Sequence, residues 1–207
     1  MLPVFHISRL RFSTDGKGIT TLVGISGCPN RCQYCINYAW FGKRPKCVSA
    51  QELYNLVSVD DIYFQATGGG ITFGGGEPLL YPDEIQKFVK IVNKKWSINI
   101  ETSLNVPWDN VELVLPYVDT FIVDIKDMNE DIYLAYTGQS GARVKENLDQ
   151  LSKLSPDKIV VRIPSIPEFN TTEDIERSKM EIKKMGISRI DAFTYRKCVT
   201  SWDTKQQ

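Results

Sequence analysis

Residues 28–35 read Cys-Pro-Asn-Arg-Cys-Gln-Tyr-Cys, and the rest of the chain is read outward from them. Cys28, Cys32 and Cys35 stand at C-x3-C-x2-C spacing, so one short loop can bring three thiolates to a single inorganic centre. Iron–sulfur clusters take thiolate ligands, and a cubane takes four. Three protein thiolates would leave one iron open to another ligand. A structural zinc ion is the competing occupant, but it asks for four ligands, usually in pairs. Cys47 and Cys198 stand alone and read as inert, partly buried thiols, so no second cluster is expected.

Upstream of the loop, residues 4–13 and 19–25 read as two strands joined by Thr14-Asp15-Gly16-Lys17-Gly18, which is a turn signal. The N-terminal hairpin therefore spans 4–25 and runs directly into the cysteines. Downstream, Ser49 and Glu52 form a capping box ahead of a helix carrying Leu53, Leu56 and Val57. Ile71-Thr72-Phe73 is a strand that ends in Gly74-Gly75-Gly76-Glu77. A helix follows, with Ile85, Phe88, Val89 and Val92 at helical spacing. The alternation continues with strands at 98–102, 120–125, 158–163 and 189–195. The helices between them are marked by Val111 and Val114, by Val144, Leu148 and Leu151, and by a stretch from Thr171 to Met185. The segment between Lys126 and Val144 reads as a loop at its start, and the tail 201–207 reads as loose.

Counted from the strand before the cysteines, six strands alternate with five helices. That pattern predicts a parallel sheet with helices outside. Six units fall short of the eight that close a full barrel. The expected fold class is α/β, an incomplete (β/α)6 parallel barrel, in a single domain over 1–207. In such folds the chemistry collects at the carboxyl ends of the strands. Here those ends carry the cysteine loop, Gly75-Gly76-Glu77, Glu101-Thr102, Asp124 with Lys126, Arg162, and Tyr195-Arg196.

The cysteine spacing, with Tyr34 just before the third cysteine, resembles the radical S-adenosylmethionine (SAM) superfamily. Gly75, Gly76 and Glu77 resemble its GGE motif. Asp15-Gly16-Lys17-Gly18-Ile19, Asp124-Ile125-Lys126, Tyr136-Thr137-Gly138 and Glu146-Asn147-Leu148 resemble motifs of the glycyl-radical-enzyme activating enzymes, the pyruvate formate-lyase activase family. The resemblance implies a radical SAM oxidoreductase. A [4Fe-4S] cluster on Cys28, Cys32 and Cys35 would cleave SAM reductively to a 5′-deoxyadenosyl radical. That radical would take hydrogen from a backbone glycine of a partner glycyl radical enzyme. The resemblance assigns SAM contacts to Tyr34, Gly75, Gly76, Glu77, Glu101, Thr102, Arg162 and Arg196. It assigns the orientation of SAM or substrate to Asp124 and Lys126. It also implies an external one-electron donor such as flavodoxin or ferredoxin, and a monovalent cation at Glu101 and Asp124. The chain departs from the family where Thr20 replaces an arginine, where Pro167-Glu168 replaces Pro-Gly, where Glu101 replaces an aspartate, and where Arg196 stands near an expected histidine. A radical SAM enzyme acting on a peptide or small metabolite is the alternative reading.

Lys+Arg and Asp+Glu both number 25, so no basic excess points to nucleic acid. No apolar run approaches the ~20 residues of a membrane helix, and Met-Leu-Pro-Val-Phe-His is not a signal-peptide start. No membrane partner and a cytoplasmic location are the corresponding expectations. The sole histidine, His6, reads as a packed or edge residue, and its isolation suits chemistry without a histidine base.

Overall fold

The structure is a computed structural model and describes residues 1–12, 14–93, 95–195 and 197. Successive residues of its parallel strands face opposite ways, and this alternation sets the architecture. The elements run β1 (Leu2–Phe12), β2 (Ile19–Ile25), β3 (Lys46–Val48), α1 (Ala50–Val57), α2 (Asp61–Thr67), β4 (Gly70–Gly75) and α3 (Pro82–Val92). They continue through β5 (Ser97–Thr102), α4 (Trp108–Val114), β6 (Thr120–Asp124), α5 (Glu130–Thr137), α6 (Ala142–Leu154), β7 (Ile159–Ser165), α7 (Thr172–Lys184) and β8 (Ile190–Thr194). All eight strands form one sheet in the order β3-β1-β2-β4-β5-β6-β7-β8. The strands from β2 through β4 to β8 are parallel and consecutive, while β1 runs antiparallel to both β2 and β3. Among the described residues the edges β3 and β8 do not pair with each other, so this is an incomplete barrel of six parallel strands, as the sequence predicts.

One set of alternating residues, including Ile71, Phe73, Ile98, Ile100, Phe121, Val123, Val161 and Ile163, belongs to the hydrophobic core between sheet and helices. Phe73 meets Phe88 of α3 edge to face at 5.4 Å. Each fully buried side chain of this size contributes about 1.5–3 kcal/mol. The other set is mixed, with Leu22, Ile122 and Val160 among polar residues. Asn99 donates to Thr72 at 3.4 Å, and Arg162 donates to Glu101 at 2.9 Å. The concave face of the sheet thus carries groups that can bind as well as groups that pack.

The turn between β1 and β2 folds into that concave face and plugs it. Asp15 is buried, its carboxylate pairs with Arg11, and its carbonyl accepts from the Thr72 hydroxyl. Gly16 has a φ of +129°, and a Cβ there would lie 2.4 Å from Nδ2 of Asn99. Only glycine serves at such a position.

Capping follows the sequence at the expected box, and a second box is found at α7. Ser49 and Glu52 cap α1 reciprocally, and Thr171 with Asp174 caps α7. Three elements were not legible. Helix α5 fills part of the stretch read as a loop, capped by Asn129 and stopped at Gly138. It is only eight residues long and lacks a strong apolar stripe, because its buried face is Tyr133, Tyr136 and Thr137. Helix α2 follows α1 almost without a break, and β3 adds a short strand beside β1. Cys47, on β3, is exposed rather than partly buried. His6 is exposed on β1 and stacks on Trp40 at 6.0 Å. Residues 201–207 and Cys198 lie outside the described residues. Among the described residues, no helix is long and apolar enough to cross a membrane.

Candidate active site

The cysteine loop leaves the carboxyl end of β2 and is pinned from two sides. Arg31 N–H donates to the Thr137 carbonyl at 2.8 Å, and Gln33 N–H donates to the Tyr136 carbonyl at 3.0 Å. Asn30 is buried, donating to the Tyr133 hydroxyl at 3.2 Å and accepting from Asn105 at 2.8 Å. The Tyr136-Thr137-Gly138 motif therefore has a structural task, which is to hold the loop through backbone carbonyls. Asn147 has a parallel task on the neighbouring connection, donating to the carbonyls of Leu104 and Val106, each at 2.8 Å.

Burial pushes the Cys28 thiol well above its ordinary value, with further repulsion from Glu77, Cys32 and Cys35. Burial pushes Cys32 up to about 11, with Lys126 pulling the other way. The three thiols are near enough to feel one another's charge. They do not form a ready cage, since among the described residues no three His, Cys, Asp or Glu side chains converge on one ion position. They sit on one loop, and among the described residues no fourth histidine or cysteine joins them in a metal-binding group. A donor set of three thiols fits a cubane with one open iron and does not fit a four-coordinate zinc site.

Beside the loop, the glycine motif extends the parallel ladder. Gly76 N–H donates to the Ile25 carbonyl at 2.9 Å, and Glu77 N–H donates to the Gly27 carbonyl at 2.7 Å. The Gly75 carbonyl accepts from Asn37 at 2.7 Å. A Cβ on Gly76 would lie 2.2 Å from the Gly27 carbonyl oxygen. The glycine is required here because the protein's own chain passes over it, in addition to any ligand.

Glu77 is fully buried and saturated. Its carboxylate accepts from the Thr102 hydroxyl at 2.8 Å, from the Ser103 N–H at 2.9 Å and hydroxyl at 2.8 Å, and from the Leu79 N–H at 3.2 Å. Burial raises its pKa, and those four hydrogen bonds oppose the rise. Thr102 in turn accepts from the Leu104 N–H at 2.9 Å. Glu77 and Thr102, expected to touch the cofactor, have their polar atoms spent inside the protein. They join the end of β4 to the end of β5.

The next corner is charged. Arg162 lies in mid-strand on β7, opposite Asp124, rather than at a strand end. It donates to Glu101 at 2.9 Å and to the Thr14 carbonyl in the plug. Burial raises the Glu101 pKa to about 7, assisted by Asp15 and opposed by Arg162. Asp124 Oδ2 accepts from Lys126 at 2.9 Å. Asp124 Oδ1 is buried and has no hydrogen-bond partner among the described residues. Burial works against the Lys126 ammonium, but attraction by Asp124, with smaller contributions from Tyr195 and Cys32, outweighs it and holds the pKa above the ordinary range.

An aromatic group connects the cysteine loop to the far edge of the barrel. Tyr34 lies edge-on to Tyr136 at 6.0 Å and to Phe169 at 5.7 Å, and Tyr136 meets Tyr195 at 6.1 Å. The Tyr34 hydroxyl donates to Glu168 at 2.6 Å, and Lys197 donates to the other oxygen of Glu168 at 2.5 Å. Glu168 has a φ of +72°, so the residue that stands in place of glycine keeps a left-handed backbone. Sequence reading missed Phe169, Glu168 as a clasp, Asn30 and Asn105. The positive φ was the one readable signal, through the family's glycine at that position. Arg196 lies outside the described residues.

Residues 22–180 match the family described as the Radical SAM superfamily. Curated relatives include the (2S)-3-sulfopropanediol dehydratase activating enzyme of Klebsiella oxytoca, 29% identical over 81% of this chain and 72% of that protein. The pyruvate formate-lyase-activating enzyme of Clostridium pasteurianum is 28% identical over 87% of this chain and 77% of that protein. Among solved structures, Streptococcus suis SuiB bound to S-adenosylmethionine superposes with a TM-score of 0.62. It is 15% identical and covers 85% of this chain and 38% of its own, which is a likeness of fold.

Proposed function

This chain belongs to the radical SAM superfamily, and from that premise we propose that it takes a hydrogen atom from a backbone glycine of a partner glycyl radical enzyme. The family implies a [4Fe-4S] cluster and SAM, which together supply a 5′-deoxyadenosyl radical when an external one-electron donor, such as flavodoxin or ferredoxin, provides the electron. Cys28, Cys32 and Cys35 would hold the cluster.

One observation carries the reading. Cys32, Lys126 and Asp124 lie within electrostatic reach of each other although the loop and β6 are far apart in sequence, and beside them Asp124 keeps a buried oxygen with no donor. A buried carboxylate oxygen without a donor is costly, so a donor on a bound molecule is its natural complement. Asp124 accepts that N–H, and Lys126, held by Asp124, keeps a positive charge facing the thiol loop. Gly75 and Gly76 let the end of β4 pack directly on Phe5 and on the Ile25–Gly27 backbone that leads into the cysteines. Glu77, with Thr102 and Ser103, fixes the frame on which they sit. Arg162 and Glu101 set the charge deeper in the concave face, and Tyr34 with Phe169 and Tyr136 supplies an apolar wall. Among the described residues β3 and β8 are the sheet's two edges, and an extended segment of a large partner docking there would have its backbone groups paired. The similarity to proteins named as activating enzymes supports a protein substrate. One domain, working in the cytoplasm, suffices for this reading.

Anaerobic reconstitution tests it. The chain should take up about four irons and four sulfides and convert SAM slowly to 5′-deoxyadenosine without a partner. Cys28→Ala, Cys32→Ala and Cys35→Ala should each abolish iron uptake, while Cys47→Ala should not. A stable zinc centre with no iron uptake would overturn it.

A further inference from the structure

Glu101 stands where the family resemblance places an aspartate beside a monovalent cation, and its extra methylene changes the site. The longer side chain reaches Arg162 at 2.9 Å. Room for it comes from Gly74, where a Cβ would lie 2.7 Å from Glu101 Oε2 and 3.2 Å from Glu101 Cβ. Asp124 is paired with Lys126 at 2.9 Å, and buried Asp15 is paired with Arg11. Glu101 and Asp124 are thus each paired with a fixed cation, and Arg162 also lies 3.9 Å from Asp191.

We propose that Arg162 and Lys126 are built-in counter-ions that take the place of a monovalent cation at Glu101 and Asp124, so that SAM is held equally well in any salt. A hard cation gathers several oxygens at once. Here one oxygen of each carboxylate, Glu101 Oε1 and Asp124 Oδ2, is already committed to a nitrogen donor. The expected cation at this position does not fit the residues present. Glu101 and Arg162 are positioning residues in this account, each acting through the other. The inference rests on the functional reading above only for the location of SAM.

The test compares potassium, sodium and tetramethylammonium chloride at equal ionic strength and pH 8, where Glu101 is ionised. Two readouts are taken: the SAM dissociation constant of the cluster-loaded protein, and the thermal midpoint of the apo protein. For the wild type, both should agree across the three salts, the constant within about twofold. Arg162→Met and Glu101→Asp should each create a cation requirement. Both variants should bind SAM about tenfold more tightly in potassium or sodium than in tetramethylammonium, and their apo midpoints should rise with the small cations, because an ion that binds only the folded state stabilises it. Glu101→Asp is the conservative variant and decides the matter if Arg162→Met folds poorly. A wild-type preference of about tenfold for a small cation, or a higher wild-type apo midpoint in it, overturns the proposal. So does salt indifference in a folded Glu101→Asp. If the wild type binds no SAM in any salt, the functional reading fails, and the apo midpoints still decide the counter-ion claim.

Discussion

Glu77 and Glu101 are two carboxylates at the carboxyl ends of adjacent parallel strands, and the protein neutralises them by different means. Glu77 is surrounded by dipoles: two hydroxyls and two backbone N–H groups. Glu101 is balanced by a charge, the Arg162 guanidinium, and both side chains keep about a fifth of their surface exposed. Dipoles fixed in the backbone hold a shape, and removing the charge they surround leaves them all unpaired. A guanidinium on a flexible stem can be partly rehydrated or can meet a ligand. The first corner is therefore part of the frame, and the second is available to chemistry.

The difference can be broken most forcefully at Glu77. Glu77→Ala should destabilise the chain by about 3–5 kcal/mol, since it strands buried donors around a former charge, whereas Glu101→Ala should cost about 1–2 kcal/mol. Urea midpoints of the two variants measure both, and equal losses would dissolve the distinction. Asn147→Ala removes two buried hydrogen bonds from the frame and should cost about 2–3 kcal/mol by the same measurement.

A smaller effect sharpens the contrast through pH. The Glu101 pKa is raised from its ordinary 4.5 to about 7, mainly by burial. Above that value the carboxylate is ionised in both folded and unfolded chains. Between there and 4.5 only the folded chain holds the proton, so Glu101's contribution to stability grows as pH falls through that window. Glu101→Gln should flatten this part of the stability–pH curve, while Asn147→Ala should leave its slope unchanged. The smallest effect is expected at Glu168, a carboxylate outside the barrel with a left-handed backbone. Glu168→Gly should leave the thermal midpoint unchanged or slightly raised, because relief of the backbone offsets an exposed clasp. A marked fall would show that the Tyr34 clasp belongs to the frame.

The frame was legible where local signals are strong. The alternating apolar runs gave every parallel strand, and the reciprocal caps at Ser49 and Thr171 marked their helices. Helix α5 escaped because its buried face is made of tyrosines and a threonine at short range, and its value lies in carbonyls offered to the cysteine loop. Most of the candidate site residues stood out in the sequence because they follow strand ends, although Arg162 lies in mid-strand. Their division of labour did not. Nothing in the order Glu77, Glu101 says which carboxylate meets hydroxyls and which meets an arginine sixty-one residues away. The inward fold of the Thr14–Gly18 turn was hidden for the same reason, since its partners Thr72, Asn99 and Arg162 come from three different strands.

The central claim is that the charged corner and the cysteine loop serve one reaction on a protein glycine. Electron paramagnetic resonance on reduced protein, SAM and a candidate glycyl radical enzyme tests it most directly. A glycine-centred doublet is predicted with the wild type. It should vanish in Cys32→Ala, which cannot hold the cluster, and fall strongly in a folded, cluster-loaded Asp124→Ala or Lys126→Ala. Formation of 5′-deoxyadenosine with no doublet, accompanied by turnover of a short peptide or small metabolite, would contradict it and assign the same corner to a different substrate.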